Sequence, residues 1–107
     1  MNTKALAFSE KEALLAQVGR MYRRSVLRNR LKDDFKVRED PYAYVNLEVE
    51  EEIERILNCM AEFNAHIIRE EFLKERKRSW WQKTYSPSQF IDQKNNAMDE
   101  FLDCLYA

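Results

Sequence analysis

The chain predicts an all-α fold, a small helical bundle of four to five helices, on three observations. One glycine and two prolines in 107 residues leave almost nothing from which to build hairpin turns. The strong helix formers Glu, Lys, Arg, Leu, Ala and Met dominate the composition. Apolar residues recur at three- and four-residue steps through several long windows, which is the period of a helix face. With 45% hydrophobic and 12% aromatic residues the chain has enough apolar surface to fold, and 35% charged residues suit the outward faces of helices. Its length fits one domain with a modest core.

The elements follow in order. Ser9 with Glu12 three residues on is an S-x-x-E capping box, so a first, basic helix is expected over 9–32. Leu14, Val18, Met21, Tyr22 and Val26 form its apolar face, with the arginines mostly outside it. In 33–45 the period is lost and Pro41 disfavours helix at Asp40, which predicts a linker whose Phe35, Tyr42 and Tyr44 tuck under the bundle. The remainder, 46–107, begins with Asn46 as a helix cap and Glu48, Glu50 and Glu51 in the first turn, where acids favour the helix dipole. Val49, Ile53, Ile56, Leu57, Met60, Phe63, Ile67, Ile68 and Phe72 continue a helical stripe. One helix over 46–74 and two joined near 59–64 satisfy that stripe equally.

The run KERKR at 74–78 suits a helix C-terminus, and Ser79 can cap a short helix over 79–85. Ser86 followed by Pro87 is the clearest start signal in the chain, a capping hydroxyl and then a proline where no N–H is missed. Phe90, Ile91, Ala97, Met98, Phe101, Leu102 and Leu105 then form the stripe of a last helix over 86–105, interrupted by Lys94. A helix, a basic loop, a short helix, a tight turn and a long helix make a C-terminal helix-turn-helix-like arrangement. In that motif the last helix places its N-terminal residues in the major groove.

A net charge of −1 hides strong local polarity. Residues 1–34 carry eight basic and four acidic side chains, and Arg20, Arg23, Arg24, Arg28, Arg30 and Lys32 meet no acid within 20–32. Residues 35–58 reverse the sign with three basic and seven acidic groups, concentrated in EVEEEIE at 48–54. Both blocks are also what solvated helix faces look like, and they can pair with each other within one chain or between two copies.

No enzymatic signal appears. His66 has no second metal ligand at recognisable spacing, and the glutamates at 50–54 lack the Glu-x-x-His elements of a di-metal bundle. No nucleophile motif or phosphate loop accompanies them, so neither a catalytic site, a metal nor a cofactor is expected. Cys59 and Cys104 read as reduced, core-facing thiols. With no signal-peptide run and no segment of membrane-span length, a cytoplasmic protein is expected.

Residues 62–102 resemble the C-terminal part of ArpU-like phage transcriptional regulators and, more distantly, the promoter-reading domain of sigma factors. The matching positions are Ile67, Ile68, Phe72, Tyr85, Ser86, Ser88, Phe90, Lys94, Ala97, Met98 and Phe101. A small set of uncharacterised proteins from wall-less bacteria is similar as well. The resemblance covers about 40% of the chain and falls mostly on core positions. It implies a bacterial DNA-binding protein of transcription regulation, with double-stranded DNA as partner and a homodimer to match paired half-sites.

On that reading Arg20, Arg23, Arg24 and Arg28, with KERKR at 74–78, clamp phosphates, Lys83, Ser86 and Ser88 position the duplex, Ser88, Gln89, Gln93 and Asn95 offer hydrogen bonds to base edges, and Lys94 is counted with the DNA-binding residues. The sequence departs from the pattern in one respect. Residues 79–107 hold two lysines against four acids, and an acidic face is repelled by phosphates. The alternative is therefore a protein-interaction module that does not read DNA and uses the acidic 48–54 helix and an exposed Trp to dock a basic partner such as an RNA polymerase subunit. Trp80 and Trp81 are the interface candidates for it, against the plainer reading in which at least one anchors the short helix.

Overall fold

A computed structural model describes residues 5–35, 43–74 and 79–106, and for 31–35 and 43–48 the backbone alone. The fold is all-α, with four α-helices and no strand among the described residues: α1 (Phe8–Phe35), α2 (Ala43–Cys59), α3 (Glu62–Ile68) and α4 (Pro87–Leu105). A π-helical turn, Arg69–Leu73, continues α3 directly. One core holds them together, with Leu15 from α1, Ile56 and Leu57 from α2, Ile67 and Ile68 from α3, and Met98, Phe101 and Leu102 from α4.

Helix α1 does not start on the Ser9 box. The Ala7 carbonyl accepts from Glu10 and Lys11, and the Glu10 carboxylate takes the Ala7 N–H at 3.0 Å, so the reciprocal half of the box is missing. Glu12 is released for another role. The buried line of α1 runs through Lys11, Leu15, Gly19 and Ser25, flanked by the half-buried Leu14, Val18, Tyr22 and Val26, while Met21 is exposed. Three of the four residues on that line are not apolar, which displaces the apparent apolar face from the true one.

Helix α1 runs past 32 to Phe35 and α2 begins at Ala43, so Asn46 is inside α2 and not its cap. No acid lies in the first turn of α2. Both ends of the expected linker, 33–35 and 43–45, are therefore helical, with 36–42 between them. That segment, with Pro41 and Tyr42, lies outside the described residues, as do the side chains of Phe35 and Tyr44.

The stripe over 46–74 is two helices, broken at Met60 and Ala61. Ala61 is extended (φ −56°, ψ 136°) and its N–H donates to Glu100 Oε1 of α4 at 2.6 Å, with Asn64 Nδ2 3.5 Å from Oε2 of the same carboxylate. A carboxylate at the N-terminus of α3 satisfies a donor the helix leaves open and suits its dipole. The break also resets the helical phase. Phe63, in register when counted through from α2, is consequently 58% exposed, and Cys59 points to solvent rather than to the core.

Within the π turn the Lys74 N–H reaches back five residues to the Arg69 carbonyl at 2.9 Å. The Phe72 carbonyl accepts from Arg23 Nη1 of α1 at 2.6 Å. Gly19 lies against that same carbonyl, where a Cβ would come within 2.0 Å of the oxygen. The contact between α1 and the π turn thus requires the chain's only glycine.

Residues 79–84 form consecutive turns in place of the expected short helix, with Gln82 N–H bonded to the Ser79 carbonyl and Thr84 and Tyr85 N–H to that of Trp81. The first helix of a regular helix-turn-helix is absent from this stretch. Helix α4 starts as expected: Ser86 Oγ accepts from Gln89 N–H at 3.3 Å, Gln89 Oε1 accepts from Ser86 N–H at 3.0 Å, and Pro87 follows the cap. Within it Phe90, Ala97, Met98, Phe101 and Leu102 are buried, whereas Ile91 is 52% exposed.

Candidate functional site

The expected DNA-contacting residues divide into three groups. Arg20, Arg24 and Arg28 are exposed and recur every four residues along α1, so they stand in one row about 6 Å apart along the helix axis. Arg20 Nη2 donates to Gln17 Oε1 at 2.6 Å, a neutral partner that leaves its charge uncompensated by that bond. Lys83, Ser86, Ser88 and Gln89 are exposed around the start of α4, but the functional atoms of Ser86 and Gln89 are the two halves of its cap. Arg23, Gln93 and Lys94 are drawn inward.

Lys94 is the clearest departure from expectation. It is 8% exposed, and its Nζ lies 2.7 Å from Glu12 Oε2 of α1 and 2.8 Å from Glu71 Oε2 of the π turn. The rings of Phe8, Phe72 and Phe90 surround it at 5.2 to 5.9 Å. Burial alone would lower the pKa of this ammonium, yet the hydrogen bonds to Glu12 and Glu71 outweigh it and the net shift is upward. A cation held by two carboxylates among three aromatic rings cannot also reach a DNA phosphate. Lys11, 5% exposed, has a similar structural place, 2.7 Å from Asp99 and 3.1 Å from Asn95 Oδ1 on α4.

Trp80 completes the network by donating from Nε1 to Glu71 Oε1 at 2.7 Å, and its ring meets His66 and Phe90 edge-on. Trp81 stacks on Phe90 at 4.5 Å between centroids. Both indoles are half-buried anchors of the turn segment. Sequence reasoning passed over Lys11, Gly19, Glu71 and Glu100. The available signal was a lysine in phase with an apolar stripe, which a buried carboxylate must answer.

On the far side of α1, Glu54 accepts a two-pronged bond from Arg69 (3.0 and 2.7 Å) and a bond from the Tyr22 hydroxyl at 2.6 Å. Arg69 holds the Glu54 carboxyl below its ordinary value of 4.5 against the opposing effect of burial, with Tyr22 assisting. Burial, then the bond to Glu54 and its charge, push the Tyr22 phenol from 10.0 up to about 12. The signs are opposite. The raised phenol contributes stability below pH 10.0 that is lost as pH climbs toward 12, whereas the depressed carboxyl contributes stability above pH 4.5 that is lost on acidification. Absorbance titration of tyrosinate should show one tyrosine ionising late, near pH 12, and that step should vanish in Tyr22→Phe. Identical curves for the two proteins would contradict this environment.

Among the described residues, two concavities lie on opposite sides of α1. A cleft of about 290 Å³ is walled by apolar residues of α1, α2 and α4, among them Val18, Ile53 and Leu105. A larger groove of about 900 Å³ runs along the opposite side of α1 from Phe8 to Arg23, with the π turn and the start of α4 as its other wall. Arg20, Arg23, Lys74, Trp81 and Lys94 all border it, so the structure brings three of the expected DNA residues and one tryptophan to one place. The rest of the KERKR run, 75–78, lies outside the described residues.

Cys59 and Cys104 are free thiols, and burial, followed by the charges of Glu100, Cys59 and Asp103, pushes the Cys104 thiol up, away from the reactive thiolate. Among the described residues no group of three or more His, Cys, Asp or Glu is arranged to hold a metal, and no helix is long and apolar enough to cross a membrane. The chain matches no protein-family model, and neither a curated protein nor a solved structure is significantly similar to it.

Proposed function

We propose that this is a non-enzymatic, transcription-associated DNA-binding protein that grips duplex phosphates with the exposed face of α1. The observation that carries this reading is the row Arg20, Arg24 and Arg28, exposed on one helix within a stretch, 13–32, that contains no acidic residue. Such a row supplies sequence-independent affinity through counterion release. The start of α4 is a poorer reading head than the helix-turn-helix order suggests. Its Ser86 and Gln89 cap the helix, its Lys94 is buried, and Asp92 is exposed beside them.

Those same features favour a second reading, a protein-interaction module that docks on a transcription component such as RNA polymerase. Fluorescence anisotropy of pooled labelled duplexes across a salt series separates the two. Under the first, binding is micromolar or tighter at low salt, and Arg24→Glu/Arg28→Glu weakens it and reduces the salt slope by about two. Absence of binding at low salt, or a slope unchanged in the variant, removes DNA from the reading and leaves the protein partner. Sedimentation of the free and DNA-bound protein tests the accompanying homodimer.

A further inference from the structure

Helix α1 stands out from the bundle as a ridge, with the larger groove along one flank and the cleft of about 290 Å³ along the other. Ala13 and Arg20 border the first recess, and Gln17 and Met21 the second. That shape suits a duplex. The major groove is about 12 Å wide, close to the width of a helix with its side chains, and a helix enters it only where the groove's rims have room on either side. The carboxylates that border the recesses, Glu12, Glu71 and Glu52, are each ion-paired with Lys94 or Arg55, so none meets those rims as an isolated charge. The crest of the ridge carries more than arginine. Gln17 and Leu27 are ten residues apart, about 15 Å along the axis and about 80° around it, and Arg20 and Arg24 lie within that arc. All four are exposed, Leu27 to 57%, although it is an aliphatic side chain among arginines. Gln17 Oε1 accepts from Arg20 Nη2 at 2.6 Å, which ties a neutral amide to an arginine of the row.

We propose that α1, and not α4, is the base-reading helix, with Gln17 and Leu27 meeting base edges in the major groove while the arginines hold the phosphates. The proposal rests on duplex binding by α1 and adds sequence selection to it. Gln17 suits adenine, whose N7 and N6 amino group take the two ends of a side-chain amide, and Leu27 suits the methyl group of thymine. The ligand is therefore a duplex with A·T pairs in a fixed order. Two other occupants fit this face less well. A lipid surface needs a broad apolar face for insertion, and Leu27 is one leucine among arginines. A second copy would have to offer its acidic α2, but there Glu50 is bonded to Asn29, Glu52 to Arg55 and Glu54 to Arg69.

The test is selection of binding sites from a random duplex library by the full chain. Anisotropy then compares the enriched duplex and a shuffled one with Gln17→Ala, Leu27→Ala and, for α4, Ser88→Ala. All three side chains are exposed, so the substitutions leave the core intact. The expected result is an enriched motif containing A·T pairs. Gln17→Ala should weaken it by roughly five-fold or more and Leu27→Ala by about four-fold, with the shuffled duplex and the salt slope unchanged because no charge is removed. Ser88→Ala should leave the motif bound as before. Replacing its thymines with deoxyuridine removes the methyl groups, which should weaken the wild type more than Leu27→Ala. Duplex binding without an enriched motif, or a motif whose affinity survives both α1 variants or is lost in Ser88→Ala, overturns the base-reading role and leaves the phosphate grip standing. Absence of duplex binding overturns both.

Discussion

Gly19→Ala should destabilise the protein by about 3 kcal/mol, the upper part of the range for forcing extra volume into a packed site. The direction opposes intrinsic propensity. In an unconstrained helix interior alanine is better than glycine by about 1 kcal/mol, because glycine loses more backbone freedom on folding. Here the added Cβ would meet the Phe72 carbonyl oxygen at 2.0 Å and its carbon at 2.9 Å. Both are backbone atoms of the π turn, and neither can swing aside as the tip of a side chain can. Relief requires α1 to move away from the π turn, which stretches the 2.6 Å bond from Arg23 to the same carbonyl. Urea denaturation of the two proteins reads the difference directly. An unchanged or higher midpoint for the alanine variant would show that α1 and the π turn do not pack this closely. The midpoint of an Ala16→Gly variant serves as a propensity control, since Ala16 borders the open groove and its helix should only weaken.

That prediction also shows where the sequence was legible and where it was not. The helical class, the last helix with its Ser86–Pro87 start and most of its stripe are local properties, set by capping chemistry and a 3.6-residue period within one window. The α2–α3 break is not local. No glycine or proline marks it, because the Ala61 N–H and the Asn64 amide are met by Glu100, 39 and 36 residues away. Phe63 falls on the sequence's stripe yet outside the core for the same reason, the period running across a break that resets it. The core face of α1 was misplaced by residue type. Lys11, Gly19 and Ser25 are buried through an ion pair, a close backbone approach and small size, none of which a hydrophobic pattern registers. Among the candidate site residues, exposure of the α1 arginine row was readable from its spacing outside the apolar face. The burial of Lys94 was not, since its carboxylate partners come from α1 and the π turn.

Replacing Lys94 with methionine should cost about 3 kcal/mol at neutral pH, in the range observed when one member of a buried ion pair is removed. The methionine fills much of the space among Phe8, Phe72 and Phe90, so the loss is chiefly electrostatic: Glu71, with its side chain 15% exposed, is left with a buried charge and no cation. Glu12, 41% exposed at its side chain, adds less because water reaches it. Two further measurements separate this account from simple loss of packing. First, the stability gap between wild type and Lys94→Met should narrow as pH falls, because protonation of the orphaned carboxyl removes the penalty in the variant. Second, Glu12→Gln/Glu71→Gln introduced into the Lys94→Met protein should recover most of the loss. The side-chain amide that replaces the Glu71 carboxylate still offers an acceptor to Trp80 Nε1, and the neutral trio no longer buries a charge. If the gap is independent of pH and the triple variant is no better than the single one, the network contributes packing alone. The sign in the wild type is fixed by the raised Lys94 pKa: its contribution is complete below pH 10.5 and fades as the ammonium deprotonates above that. Because Glu71 also fixes Trp80, and Phe90 stacks with Trp81, the same three charges hold the turn segment against α4 and shape one wall of the groove along α1.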